Sequence, residues 1–165
     1  MRIAVMADLH MAGKWLTEIS PAWQKALDDM KKENVDLLLL AGDIWDNYNV
    51  SSRESSFGTP LAALVEPLLA SGIATIVVEG NHDQAPPGQK GALTAIENLS
   101  GIRVSTKAEI IEQEKVVVVT LPWLTKARLI GKCLDGNFQE TEVLFNVAIE
   151  KLLAWIKVSI SKYNC

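Results

Sequence analysis

Three short apolar runs in this chain break off into clusters of chemistry-bearing side chains, and that repeated ending limits the folds available. Ile3-Ala4-Val5-Met6-Ala7 runs into Asp8-Leu9-His10. The leucines at 37–40 run into Gly42-Asp43-Ile44-Trp45-Asp46. Ile73-Ala74-Thr75-Ile76-Val77-Val78 runs into Gly80-Asn81-His82-Asp83, and Pro86-Pro87-Gly88 forces a loop soon afterwards. Runs this apolar, with little alternation, read as strands buried on both faces of a sheet. A strand that ends in carboxylate, imidazole and amide groups presents ligands rather than packing a core.

Helical patterns separate the runs. Ser20 with Pro21 reads as an N-cap followed by proline at the first helical position. Trp23, Ala26, Leu27 and Met30 then recur at helical spacing, predicting an amphipathic helix over 21–33. Residues 46–60 form a long polar connection, the kind that is usually functional or mobile. Pro60 opens a second helix, with Pro67 expected to kink or limit it and Ser71-Gly72 to end it. Residues 92–99 suggest a short helix, and 102–104 and 108–112 suggest short strands. The run 115–121 is rich in β-branched residues and reads as a further strand. Asn137 with Glu140 has the form of a capping box for a long helix reaching about residue 160. The order is β-α-β-α-β-α-β-β-β-α. Such alternation implies an α/β fold with a largely parallel, layered sheet, where ligands sit beyond the carboxyl ends of the strands. All three polar clusters fall there.

Composition removes several alternatives. A length of 165 residues suits one domain, read as spanning 1–165, with enough chain to bury a core. No stretch is long and apolar enough to cross a bilayer, and the N-terminus does not read as a signal peptide, so the expected location is cytoplasmic. Cys133 and Cys165 are too few and too far apart for a disulfide framework or a zinc finger. A net charge of −4 argues against a broad basic surface for nucleic acid, though not against nucleic acid held through metals. Trp15, Trp23, Trp123 and Trp155 read as core or interface residues rather than base-stacking platforms. Trp45, between two acids, is left open.

The clusters suit metal chemistry. Asp8 and His10 are two apart, and in an extended segment both would point to one side and reach one ion. Asp43 follows a glycine, where the chain can turn and bring the carboxylate inward; its two oxygens could bridge two cations. Asn81 can offer an amide oxygen. Mixed carboxylate, imidazole and amide ligation suits Mn²⁺, Fe or Zn²⁺ better than an all-oxygen Mg²⁺ or Ca²⁺ cage. His82 is placed to protonate a leaving alkoxide or steady transition-state charge. Asp46 and Asp83 read as carboxylates that orient the ligands or His82. Each cluster alone could be an ordinary turn; three in this order, all at strand ends, form a pattern.

Asp8-x-His10, Gly42-Asp43-x-x-Asp46 and Gly80-Asn81-His82-Asp83 together resemble the first three signature blocks of the calcineurin-like metallophosphoesterases. The resemblance implies a layered α/β/β/α sandwich and a dinuclear metal centre. It implies that Asp8 and His10 bind the first metal, Asp43 bridges both, Asn81 binds the second, and His82 is the catalytic histidine. Within the family, the Met1-Arg2-Ile3 start, Ala7-Asp8-Leu9-His10, Gly42-Asp43-Ile44-Trp45-Asp46 and the strand into Leu121-Pro122-Trp123 look most like the nuclease subunit of Sbc-type bacterial double-strand-break repair exonucleases. That branch implies Mn²⁺, DNA as substrate, a homodimer and a coiled-coil ATPase partner. The family draws further ligands from later blocks, a strand-end histidine and Gly-His-x-His. This sequence has two histidines, His10 and His82, both already used. The expectation is therefore a sandwich incomplete at its C-terminus, a partly furnished dinuclear site, and activity that depends on whether the remaining ligands suffice. Two other readings stand beside the nuclease: a non-catalytic scaffold acting through protein contacts, and a phosphodiesterase for nucleotides or other small molecules.

Overall fold

The computed structural model describes residues 1–48, 59–86, 89–126 and 138–163. It falls into two compact units, 1–106 and 107–165.

The first unit is built on a four-stranded parallel sheet in the order β1-β2-β3-β4. The strands are β1 (Ile3–Met6), β2 (Leu37–Ala41), β3 (Ala74–Val78) and β4 (Ile102–Ser105). Helix α1 (Leu16–Lys32) crosses from β1 to β2, and α2 (Pro60–Ser71) lies between β2 and β3. The register pairs Met6 with Leu40 and Leu40 with Val77, and it pairs Ala4 with Leu38. Residues in register on neighbouring strands share a face, so Leu38, Leu40 and Val77 line one side of the sheet. They form one core cluster with Trp23 and Leu27 of α1 and Leu64 and Leu68 of α2. Trp23 has a polar atom to satisfy, and its indole Nε1 donates to the Leu64 carbonyl at 3.1 Å, tying α1 to α2. At roughly 1.5–3 kcal/mol per fully buried large apolar side chain, this layer dominates the unit's stability.

Local signals explain most boundaries and fail at two. Thr59 caps α2 by accepting from the Ala62 amide at 3.1 Å, and Gly72, at φ 69°, ends the helix in the left-handed conformation. Pro67 does not limit α2, which continues to Ser71. Helix α1 begins at Leu16, not at Ser20-Pro21, after a 3-10 turn over Gly13–Trp15. Pro21 therefore lies inside the helix. Burial of Leu16, with Ile19 packed against the core, recruits an extra turn ahead of the proline. The helix expected over 92–99 is only a 3-10 segment, Ala92–Ala95.

The second unit holds an antiparallel pair, β5 (Glu109–Gln113) and β6 (Val116–Thr120), in a sheet of its own. Helix α3 (Phe138–Ile160) follows, then a 3-10 turn, Ser161–Tyr163. The Tyr163 hydroxyl donates to the Glu112 carboxylate, so the end of α3 is tied to the hairpin. Asn137 of the expected capping box, Cys133, Cys165 and residues 49–58 lie outside the described residues. No helix among the described residues is long and apolar enough to cross a membrane.

Candidate metal centre

The carboxyl ends of β1, β2 and β3 bring the three polar clusters together. The loops after β1 and β2 run side by side, joined by backbone hydrogen bonds. Asp8 donates to the Gly42 carbonyl at 3.1 Å, His10 to Asp43 at 3.0 Å and Met11 to Ile44 at 2.9 Å; Asp46 returns one to Met11 at 3.4 Å. Asp8 (φ 56°), His10 (φ 45°) and Asp43 (φ 52°) all sit in the left-handed region. Each non-glycine residue held there costs of order 1 kcal/mol or more. The four inter-loop bonds, each worth about 0.5–1.5 kcal/mol net, offset that cost. The Asp8–His10 stretch is thus not extended, as the spacing argument assumed, because β1 ends at Met6 and the backbone coils. The two side chains still meet: His10 Nε2 lies 3.9 Å from Asp8 Oδ1.

Asp43 is the junction of the site. Its Oδ1 accepts the His82 backbone amide at 2.9 Å, and the Asn81 amide lies 2.9 Å from Oδ2 and 3.3 Å from Oδ1. Imidazole and carboxylate ligand atoms of His10, Asp43 and His82 all lie within 4.8 Å of one another. The rings of His10 and His82 meet edge to face at 4.8 Å between centroids. Gly80 makes room for this: its backbone packs directly on Asp43, and Gly42 (φ 92°) packs on Gly80 in turn.

The acids at 46 and 83 hold this arrangement differently from one another. Asp46 Oδ1 stands 3.8 Å from His10 Nδ1, and Oδ2 is 3.3 Å from Lys14 Nζ. Its backbone carbonyl lies 2.8 Å from His82 Nδ1. A carbonyl cannot donate, so Nδ1 carries the proton in this contact and Nε2 is not engaged by it. That carbonyl raises the His82 pKa first of all; partial desolvation opposes it, and the charges of Asp43, Asp46 and Asp83 add to it. Asp83 is fully buried, and among the described residues its carboxylate bonds to backbone amides rather than to the His82 ring. Its carboxylate accepts three backbone amides, from Gly80 at 2.9 Å, Trp45 at 3.0 Å and Ile44 at 3.3 Å. It staples the loop after β3 to the loop after β2. Burial pushes its carboxyl up, against the three amides that pull it down.

Trp45 is resolved as a core residue at 1% exposure, and its indole Nε1 finds no partner among the described residues. Trp23 is core as expected. Trp15, Trp123 and Trp155 are exposed, which removes them from the core. The sequence reading passed over Lys14, whose ion pair with Asp46 brings it to the rim of the site. A basic residue four positions after His10 was the available signal.

The donor set fits a divalent cation. Turned one way, the Asn81 amide group donates to Asp43. Released from that bond, the same amide can offer its oxygen as a ligand instead. Imidazole, carboxylate and amide oxygen together match borderline divalent metals.

A parallel α/β unit with such a cluster beyond its strand ends has the arrangement that metal-assisted hydrolysis requires. The family model for calcineurin-like phosphoesterases matches residues 1–151, and the chain belongs to that family. Its members hydrolyse phosphoesters at metal centres, and the matched span runs through both compact units. Among solved structures, the chain is similar to a dimetal phosphatase from Danio rerio at 21% identity and a TM-score of 0.38. That match covers 48% of this chain and 29% of the other.

Proposed function

We propose that the chain hydrolyses phosphodiesters, with DNA as substrate and Mn²⁺ as the metal, in the manner of a repair nuclease. The observation that carries the reading is the Asp43 carboxylate, with the Asn81 amide and the His82 backbone both within 3 Å of it. Asp8 and His10 would hold one ion, Asp43 would bridge, and Asn81 would hold a second. Bound there, divalent cations supply Lewis-acid polarisation of a phosphoryl oxygen and lower the pKa of water.

The chain's own groups do the rest. His82 keeps its Nδ1 proton on the Asp46 carbonyl, which fixes the ring and leaves Nε2 for proton transfer. The Asp46 carbonyl and the nearby carboxylates shift its pKa upward, in the direction that favours the protonated ring a general acid needs for a leaving alkoxide. Asp83 holds the loop that aims Asn81 and His82, and Asp46 holds His10 from the other side. A homodimer, a coiled-coil ATPase partner and a cytoplasmic setting belong to the same proposal.

A net charge of −4 favours a second reading, in which the substrate is a nucleotide or another small phosphodiester. One experiment separates the two. Purified protein with Mn²⁺ is given bis(p-nitrophenyl) phosphate, mononucleotides and linear duplex DNA. The nuclease reading expects hydrolysis of DNA that disappears in Asp43→Ala. Turnover of the small phosphodiesters without cleavage of DNA would favour the second reading, and no Asp43-dependent turnover of any substrate would refute both.

A further inference from the structure

We infer that Lys14 and Trp15 form a nucleotide subsite on the rim of the metal centre, with Lys14 holding a phosphate and Trp15 stacking a nucleobase. This deepens the phosphoesterase reading and rests on it. The two residues are carried rigidly out of the site. Met11 is fully buried and bonded to Ile44, and the Trp15 amide donates to the Ala12 carbonyl at 2.9 Å. Leu16, immediately after, is buried in the core. The 3-10 turn between these anchors has little freedom, yet it presents the Lys14 side chain at 62% exposure and Trp15 at 45%.

Lys14 links the indole to the cluster. Its Nζ lies 5.4 Å from the Trp15 ring centroid and 3.3 Å from Asp46 Oδ2, and the other Asp46 oxygen is 3.8 Å from His10 Nδ1. A single exposed aromatic residue is ordinary on a protein surface. An exposed indole on a pinned turn, beside an ammonium group at the edge of a phosphoester-hydrolysing centre, has the two elements of nucleotide recognition: charge for the phosphate and a flat apolar face for the base. With Lys14 beside it, Trp15 keeps 45% of its surface exposed, which is the surface a base would use. The subsite takes the nucleotide that contributes the scissile phosphate or its neighbour. It discriminates nucleic acid and nucleotides from phosphoesters that lack an aromatic group.

The test is equilibrium binding of AMP and of ribose 5-phosphate to the Mn²⁺-loaded protein by calorimetry. The two probes share the sugar and phosphate, and only AMP has a base. The wild type is expected to bind AMP about tenfold more tightly. Trp15→Ala should bring AMP down to the level of ribose 5-phosphate, Trp15→Phe should keep part of the preference, and Lys14→Met should weaken both probes alike. Circular dichroism melts of each variant check folding, and Trp15→Phe keeps the test open should Trp15→Ala be misfolded. Equal affinity for the two probes in the wild type would overturn the inference while leaving the phosphoesterase reading intact. So would loss of both probes in equal measure with Trp15→Ala. Binding of neither probe, together with no Mn²⁺-dependent hydrolysis of bis(p-nitrophenyl) phosphate, would overturn both.

Discussion

Gly80 lies so close to Asp43 that a Cβ at position 80 would stand 2.2 Å from both the Asp43 backbone nitrogen and its Oδ1. No rotamer change relieves such a contact, because one of the two atoms is backbone. Gly80→Ala should therefore destabilise the protein by about 2–3 kcal/mol, the range for overpacking an unyielding site. Because the atom displaced is the carboxylate at the junction, divalent-metal affinity should fall as well. Urea denaturation followed by metal titration of the surviving folded fraction reads both effects; a variant as stable and as metal-competent as the wild type would refute the packing argument.

Asp83 should behave as a staple. An asparagine there can still accept hydrogen bonds through one oxygen, but its amino group would face a backbone N–H that needs an acceptor. Asp83→Asn is expected to cost about 2 kcal/mol, the desolvation penalty of a buried unpaired donor. The pH dependence has a definite sign. The folded carboxyl has a pKa raised above its ordinary 3.8, so the folded state binds the proton more tightly than the unfolded chain. The contribution of this group is largest in acid and declines as pH rises from about 3.8 through the raised folded value. Denaturation curves across the acid range should show that slope in the wild type and lack it in the variant.

His82 should titrate above the ordinary imidazole value of 6.5 in the metal-free protein, chiefly because its Nδ1 proton is held by the Asp46 carbonyl and secondarily because of Asp43. A histidine raised in this way adds stability that is complete below 6.5 and is lost as pH climbs through the folded value. Ring-proton NMR titration gives the pKa directly. Asp43→Asn should lower it without returning it fully, since the carbonyl contact remains. A wild-type value at or below 6.5 would show that the carbonyl bond is not made in solution.

The strand ends were legible because burial on both faces leaves an apolar run, and the polar residues that interrupt it then stand out. Asp8, His10, Asp43, Asn81 and His82 were singled out as candidates that way, and the three strands that precede them lie where the apolar runs placed them. What was hidden is conformational or non-local. Nothing in Asp8-Leu9-His10 announces left-handed backbone at both ends; the parallel run of the two loops imposes it. Asp83 reads as one acid among several, and its three amide partners come from two different loops. Lys14 was passed over and Trp15 was read as core or interface rather than as a stacking platform, because their placement depends on where the turn after Met11 points.

Pro21 shows how a local signal can be outvoted. Ser20-Pro21 is a sound helix start by propensity, yet α1 begins at Leu16. In that helix Pro21 has no N–H to return to the Thr17 carbonyl. Pro21→Ala should restore the bond and stabilise the protein by about 1 kcal/mol, the helical gain outweighing the smaller loss from a more flexible unfolded chain. Thermal melts of the variant test this, and a lower melting temperature would mean that the proline suits its site.

Asp43, at the junction of the three loops, is the proposed anchor of the divalent-cation site. Isothermal titration of Mn²⁺ into the metal-free wild type, and in parallel into Asp43→Ala, measures that claim most directly. Saturable Mn²⁺ binding is expected in the wild type, with affinity lower by at least tenfold in a variant that remains folded. Wild-type protein that binds no Mn²⁺, or a folded Asp43→Ala variant that binds it as tightly as the wild type, would contradict it.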